Sequence, residues 1–479
     1  MSIPDIMSLL PMEILAGGML FTMLLIAVKR NHVLAFTCTL IVVAASLISV
    51  LSIKRNTPHA IGELVLIDHF GLFYQALILL ATFAVVLFSY ISLRNFFPER
   101  RKEEYYLLLM LATLGSAMMV VSTHFVSFFV SLEILSVSLY SLIGYYRERT
   151  IAIEAGLKYL ILAAMSSAFL LFGMGLIYSV EGKLTFHALA TITPTLSPAS
   201  LMMMVAGIGM MMTGIGFKLA VVPFHMWTPD VYQGASSPIT AFIATVSKGG
   251  MVAVLLRFFM MADLYRFEKI MLAFTLIAIL SMLIGNLLAL MQSNVKRILA
   301  YSSIAHFGYL LIAFVAGGEV GPQAATFYLT VYIITILGAF GLITIISQSD
   351  AEATSIEEYQ GLFWRKPFLA AVFTVILLSL AGIPLTAGFM GKYFLLTAGV
   401  GKSKWLLAFT LVISSVIGLY YYLRLIVIMM KQDQDTISSA KVFKFSSVVG
   451  ILALTVIGVL ILWLGVNPGW LISMVNSLP

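Results

Sequence analysis

The sequence predicts an all-α polytopic membrane protein of about fourteen transmembrane helices, the seventh and twelfth of them broken. Three observations carry that prediction. Charged residues make up 10% of the chain and hydrophobic ones 61%, with a mean hydropathy of +1.05, whereas soluble domains carry about 25% charged residues. A helix needs about 20 apolar residues to cross the hydrocarbon, and such stretches recur at 11–28, 33–53, 70–93, 104–121, 124–146, 152–179, 200–225, 238–261, 268–290, 296–316, 323–346, 368–396, 405–430 and 444–466. Pro223 near the end of the seventh and Pro384 inside the twelfth remove a backbone donor and crowd the preceding turn, so neither is one straight helix.

In chain order, MSIPDIMSLLPME has no positively charged leader, so the first apolar run is expected to stay as a membrane helix. The one cysteine, Cys38, lies in the second run; it excludes an internal disulfide and reads as a small core hydrophobe. The longest connections, near 181–199 and 347–367, leave no room for a soluble domain, and the first contains LTFHALA, a short interfacial helix.

The net charge of +7 invites a nucleic-acid partner, but most of the basic residues sit in short connections, as a topology signal does. With both termini outside, fifteen basic residues fall in inside connections, including Lys29, Arg30, Arg100, Arg101, Lys102, Arg149, Lys296, Arg297, Lys441 and Lys444. Seven fall outside, including Lys54, Arg55, Lys183 and Arg266, so both termini are placed on the outer, periplasmic side.

Six basic residues remain inside spans: Lys158, Lys218, Lys248, Arg257, Lys392 and Arg424. Arg257 and Arg424 lie late in their helices and are expected to snorkel to the interface. Only Glu133 and Glu154 match the set at depth, so the four lysines cannot all be charged and paired within the chain. An ionisable group at bilayer depth is a functional candidate by default.

The stretch TGIGFKLAVVPFHMWTPDVYQGASSPITAFIATVSKGG, Thr213–Gly250, concentrates these groups: Lys218, the Pro223 break, His225 and Lys248. Irregular backbone survives in a membrane only where protein or a wet cavity covers it. Lysine ionisation responds readily to burial and histidine titrates near neutrality, so these side chains suit proton transfer. Glu133, in FFVSLEILSVSLYSL, is placed to switch charge with a partner lysine. Lys158, four residues after Glu154, forms a helical pair with it or tunes Glu133. His306, in YSSIAHFGYLL, is a further candidate, and Lys392 ends the second broken segment as an outlet. Gly249 and Gly250 leave room for a neighbouring helix or for water.

SLAGIPLTAGFMGKYF repeats the theme of a break with a lysine, and the Ser247–Arg257 separation recurs at Ser414–Arg424. Helices four to eight and nine to thirteen therefore read as two five-helix copies, the second inverted because five is odd. Paired broken helices point to a transport site at the repeat interface. The divisions are 1–103, three N-terminal helices; 104–262 and 263–431, the two repeats; and 432–479, the last helix. Phosphate-binding glycine fingerprints, CxxC pairs and zinc-ligand spacings are absent, so no cofactor or metal is expected in this chain.

FKLAVVPFHMWTPDVYQGASSPITAFIATVSK, with SLEILSVSLYSL, EAGLKYLILAAMSSA, NVKRILAYSSIAHFGYLL and LAGIPLTAGFMGKYF, closely resembles the antiporter-like membrane subunits of bacterial NADH:quinone oxidoreductase (respiratory complex I). TPDVYQG points to the subunit-N branch of that family. The resemblance covers nearly the whole chain and implies a proton-translocating subunit in the respiratory chain of the bacterial inner (plasma) membrane. NADH, FMN, iron–sulfur clusters and quinone would then lie in other subunits, and the partners would be sibling antiporter-like subunits, the bilayer, protons and water. It implies that Glu133 and Lys218 form the charge pair of the first half, Lys248 is the central relay, Lys392 the terminal lysine, His225 a link between halves and Lys158 the sixth-helix lysine. The alternative is a subunit of a multi-subunit cation/proton antiporter or a membrane-bound hydrogenase.

Overall fold

The computed structural model describes residues 3–53, 57–96, 102–191, 197–347, 352–432 and 445–478. The predicted topology residues Lys54, Arg55, Arg100, Arg101, Lys441 and Lys444 lie outside the described residues. The helices are α1 (Ile3–Val28), α2 (His32–Ile53), α3 (His69–Phe96), α4 (Glu104–Met119), α5 (Phe125–Ile143), α6 (Thr150–Glu181), α7 (Pro198–Leu219), α8 (Trp227–Gly234), α9 (Ser237–Phe242), α10 (Lys248–Met261), α11 (Glu268–Leu290), α12 (Val295–Ala316), α13 (Val320–Ile346), α14 (Leu362–Arg365), α15 (Pro367–Ala381), α16 (Ala387–Gly401), α17 (Trp405–Met430), α18 (Phe445–Val466) and α19 (Gly469–Asn476). Among the described residues, twelve helices are long and apolar enough to cross a membrane, α9 and α10 counting as one through the π turn Ile243–Ser247. The expected stretch 104–121 falls on the shorter apolar helix α4, and 368–396 on the shorter apolar helix α15 together with α16 beyond the break.

Local chemistry sets the helix ends. Ser197 caps α7 by accepting from Ser200 N, with Pro198 in the first turn where its missing N–H costs nothing. The Asn294 side chain caps α12 by accepting from Arg297 N. LTFHALA forms a 3₁₀ turn, Phe186–Thr191, whose Phe186 ring packs on Phe125 and Phe258. A two-stranded antiparallel hairpin, β1 (His59–Ile61) and β2 (Val65–Ile67), was not foreseen; its strands are too short for period-two patterning to register.

Both expected breaks are present, and their freed carbonyls find partners. α7 ends at Ala220 in a left-handed conformation (φ 59°). Trp227 Nε1 donates across the gap to Phe217 O at 2.9 Å, and Val222 N donates to Ser281 Oγ of α11. α15 ends at left-handed Gly382 (φ 83°), and Lys392 Nζ reaches back to Ala381 O at 2.8 Å. The second break needs Gly388, because a Cβ there would meet Ser379 O at 1.8 Å. Gly250 admits a neighbouring helix, α4, whose Ser116 Oγ would lie 2.4 Å from an added Cβ.

The spans containing α9–α10 and α12 are wholly enclosed, and α13 nearly so, while α1 and α2 present apolar side chains outward. The connections gather on two faces. On one, β2 pairs with Ser122, His124 with Thr185, and Arg266 donates to Leu189 O and Ala190 O. On the other, Arg30 pairs with Glu104, Arg149 stacks on Phe96, Arg297 meets Asp230, and Asn294 pairs with Ser355. Each of these contacts joins connections expected on the same side of the membrane, as strict up-and-down threading requires. On the second face burial lowers the Lys102 amine from its ordinary value; neighbouring Glu103 opposes this and Arg94 adds to it.

Candidate functional site

The site grows from the two breaks and the enclosed helices between them. In the first half, α7 carries Lys218 into full burial one turn before its break. Lys218 Nζ donates to Ser136 Oγ of α5 at 2.7 Å and to Tyr159 OH of α6 at 3.1 Å. Glu133, nearly one turn before Ser136 on α5, accepts from Ser167 Oγ at 2.5 Å. The expected Glu133–Lys218 pair is therefore not a contact ion pair. A serine stands against each partner.

Lys248 starts α10 directly after the π turn, a helix irregularity often found at functional sites. Its side chain is fully buried. Nζ donates to Ser303 Oγ at 2.9 Å and lies 4.5 Å from the Phe307 ring centroid. Ser303 in turn meets Tyr332 OH at 2.7 Å and Tyr232 OH at 3.5 Å. Three residues on along α12, buried His306 bonds Tyr328 OH through Nδ1 at 2.6 Å and Tyr422 OH through Nε2 at 3.3 Å. Tyr422 also bonds Ser302. His306 thus stands inside a cage of hydroxyls on the same helix as the partner of Lys248.

Lys392 is buried on α16 and donates to Ala381 O and to Ser415 Oγ of α17, each at 2.8 Å. Its ammonium lies 5.1 Å from the Tyr309 ring, and Tyr309 OH is tied to Asn286 and Ser414. His306 packs edge-on against the same tyrosine. Aromatic faces attract cations, which tempers the cost of charging these amines in apolar surroundings. Lys218, Lys248 and Lys392 share one rule: among the described residues none has a carboxylate within ion-pair distance.

Elsewhere the charges pair, which revises two expectations. Arg257 leans toward the interface as expected but does not end in water. It is buried and forms a two-pronged ion pair with Asp68 at 2.7 and 2.8 Å, with Nε on Val120 O, because the chain before α3 folds a carboxylate back over the end of α10. Nor are Glu133 and Glu154 the only carboxylates that answer the basic residues. Asp68, Asp230 and Glu352 approach from connections and short helices. Lys158 pairs with Glu154 at 2.7 Å, as its helical spacing suggests, and with Asp230 at 2.8 Å, both partners partly exposed. Arg297 holds the other oxygen of Asp230. Lys296, read as a topology charge, is buried and bound to Glu352 at 2.7 Å, while the second Glu352 oxygen accepts from Ser237 N. Arg424 stands half-buried near Glu357.

His225 follows the first break and is buried, with Nδ1 unpartnered among the described residues. Ser136, Tyr159, Ser303 and the tyrosines around His306 were not singled out from the sequence. A usable signal existed: Ser303 lies three residues before His306, and Tyr328 and Tyr332 are four apart, both helical-face spacings. No group of three or more His, Cys, Asp or Glu side chains among the described residues is arranged to hold a metal ion.

Comparison with known proteins matches residues 122–418 to a family model described as NADH:quinone oxidoreductase/Mrp antiporter, transmembrane. The chain is 42% identical over 478 residues to NADH-quinone oxidoreductase subunit N of Ectopseudomonas mendocina, covering 98% of this chain and 96% of that one. It is 44% identical to the Methylococcus capsulatus protein of the same name, covering 88% and 86%. Its fold superposes on a chain of respiratory complex I from Thermus thermophilus, solved with bound aureothin, with a TM-score of 0.82 and 32% identity over 97% of this chain and 98% of that one. A chain of the Mrp complex of Dietzia sp. DQ12-45-1b has the same fold, TM-score 0.85, at 20% identity over 99% and 97%.

Proposed function

The chain belongs to the NADH:quinone oxidoreductase/Mrp antiporter family, and from that premise we propose that it is an antiporter-like subunit in the membrane arm of an NADH:quinone oxidoreductase and moves protons through its buried amines. One observation carries the reading: Lys218, Lys248 and Lys392 are buried at the heart of the bundle against hydroxyls and a carbonyl instead of counter-charges. An amine so held can give up its proton without stranding a carboxylate, whereas a lysine in a contact ion pair cannot.

The first half works as a coupled set in which the charge of Glu133 favours or releases the proton on Lys218. Lys248 relays across α12 to His306 and its tyrosines, and Lys392 delivers at the second break. Glu133, Lys158, Lys218, His225, Lys248 and Lys392, with Glu154 and His306, are the proposed transfer residues, Lys158 and Glu154 acting from the half-exposed cluster around Asp230. The driving energy comes from quinone reduction in other subunits, which also hold NADH, FMN and the iron–sulfur clusters. This chain performs no redox step.

The spans divide as 1–103, 104–262, 263–431 and 432–479, with the two central units as inverted five-helix repeats. Equivalent helix pairs pack in both units: α4 on α5 as α11 on α12, α6 on α7 as α13 on α15, and α4 on α10 as α11 on α17. Both termini face the periplasm of a bacterial inner membrane, the assignment that puts the face bearing Arg30, Arg149, Lys296 and Arg297 inside.

The test is proton translocation by the assembled complex. Glu133→Ala and Lys218→Ala should each pump less while the complex still assembles, and full pumping from both would leave the buried charges as packing devices. Co-purification with flavin and iron–sulfur subunits supports this reading over a cation/proton antiporter, which would purify without them.

A further inference from the structure

Among the described residues, five buried side-chain atoms lack a hydrogen-bond partner: Gln75 Oε1, His225 Nδ1, Thr228 Oγ1, Ser237 Oγ and Tyr265 OH. Two of them, His225 Nδ1 and Thr228 Oγ1, stand three residues apart where the chain re-enters helix after the first break. Thr228 N donates to His225 O at 3.0 Å, so the two side chains are one helical turn apart, a spacing of about 5–6 Å between Cβ atoms. Thr228 is fully enclosed and His225 is 8% exposed. The Pro223 carbonyl lies beside the imidazole but completes no hydrogen bond to Nδ1.

Buried polar atoms are almost always satisfied, by protein or by ordered water. A buried water needs at least two polar partners, and two orphans on one turn supply them. Four residues beyond Thr228, on the same face of α8, lies Tyr232. Its hydroxyl is 3.5 Å from Ser303 Oγ, which holds Lys248 Nζ at 2.9 Å. His225 and Thr228 thus stand at the head of α8, and Tyr232, one turn on, begins the hydroxyl contacts that lead through Ser303 to the central lysine.

We infer that Thr228 is a proton-path hydroxyl that holds a water against His225 Nδ1 and hands protons on toward Lys248; this rests on the proton-translocation reading above. An imidazolium at His225 gives its Nδ1 proton to the bridging water, and the water passes one to the Thr228 oxygen. Thr228 then releases its own hydroxyl proton to a second water on that face, which passes one to Tyr232, and Tyr232 and Ser303 pass it on to the Lys248 amine. His225 ends neutral, Lys248 ends as an ammonium, and every hydroxyl keeps one proton.

The test compares Thr228→Val and Thr228→Ser in the whole complex reconstituted in liposomes, with Lys218→Ala alongside. Thr228→Val preserves shape and removes the hydroxyl. Losing one hydrogen-bonded partner should slow proton translocation on the order of tenfold, and Thr228→Ser should restore it. A Thr228→Val complex that pumps like the parent while Lys218→Ala is impaired overturns this inference alone. If Lys218→Ala also pumps like the parent, the broader reading fails instead. Should Thr228→Val not assemble, a density map of the parent complex at water resolution decides: a solvent peak bridging Nδ1 and Oγ1 supports the inference, and side chains closing that gap overturn it.

Discussion

The amines at the centre of the bundle and the cations near its two faces solve the same problem in opposite ways. Arg257 and Lys296 are as buried as Lys248, yet Asp68 and Glu352 meet them at 2.7 Å. Lys248 has Ser303 and two aromatic rings, and Lys392 a carbonyl, a serine and a ring. A paired charge is fixed, because removing its proton or its partner strands the other ion in low dielectric. An amine among hydroxyls keeps usable contacts whether or not it is protonated, since a hydroxyl both donates and accepts. The faces therefore hold the bundle together, and the centre is left free to change charge.

The hardest blow to this contrast is to move a counter-charge inward. Ser303→Asp places a carboxylate where Lys248 now meets a hydroxyl, converting the proposed transfer amine into a fixed pair. Proton translocation should fall on the order of a hundredfold, the scale of losing a positioned acid–base group, in a complex that still assembles. Undiminished pumping would break the contrast.

The converse change strips a partner from the face. Lys296→Met leaves buried Glu352 with the Ser237 amide as its remaining hydrogen-bond partner among the described residues, and breaking a buried pair from one side costs about 3–5 kcal/mol. Thermal unfolding in detergent should register that loss, whereas adding Glu352→Gln should recover most of it. A single variant as stable as the double one would show that the pair is not the anchor described.

The smallest effect belongs to the half-exposed cluster. Lys158→Gln removes an amine shared by Glu154 and Asp230, but Arg297 still holds Asp230. Stability of the isolated chain should change by less than about 1 kcal/mol, as for exposed pairs generally. A larger loss would move Lys158 into the class of Arg257 and Lys296.

Much of this was legible from local chemistry. The apolar stretches, the Pro223 and Pro384 breaks and the depth of Lys218, Lys248 and Lys392 follow from residue type and position along a helix. The partners were harder to read. Asp68 and Arg257 are 189 residues apart, and Lys296 and Glu352 are 56 apart, so neither pair leaves a periodic trace. Glu352 lies in a connection, outside every predicted span. His306 was singled out only as a further candidate, because its tyrosine cage comes from α13 and α17, which helical spacing along α12 cannot reveal.

The sequence by itself determined that the chain is a helical membrane protein of many spans, where two of those spans break, and which ionisable groups are carried to depth, since hydropathy, proline and helix length act within one segment. Only the tertiary structure decided which of those groups are locked and which are free. That choice depends on distances between segments remote in sequence, and Coulomb attraction and desolvation both turn on a few ångströms that no single segment encodes.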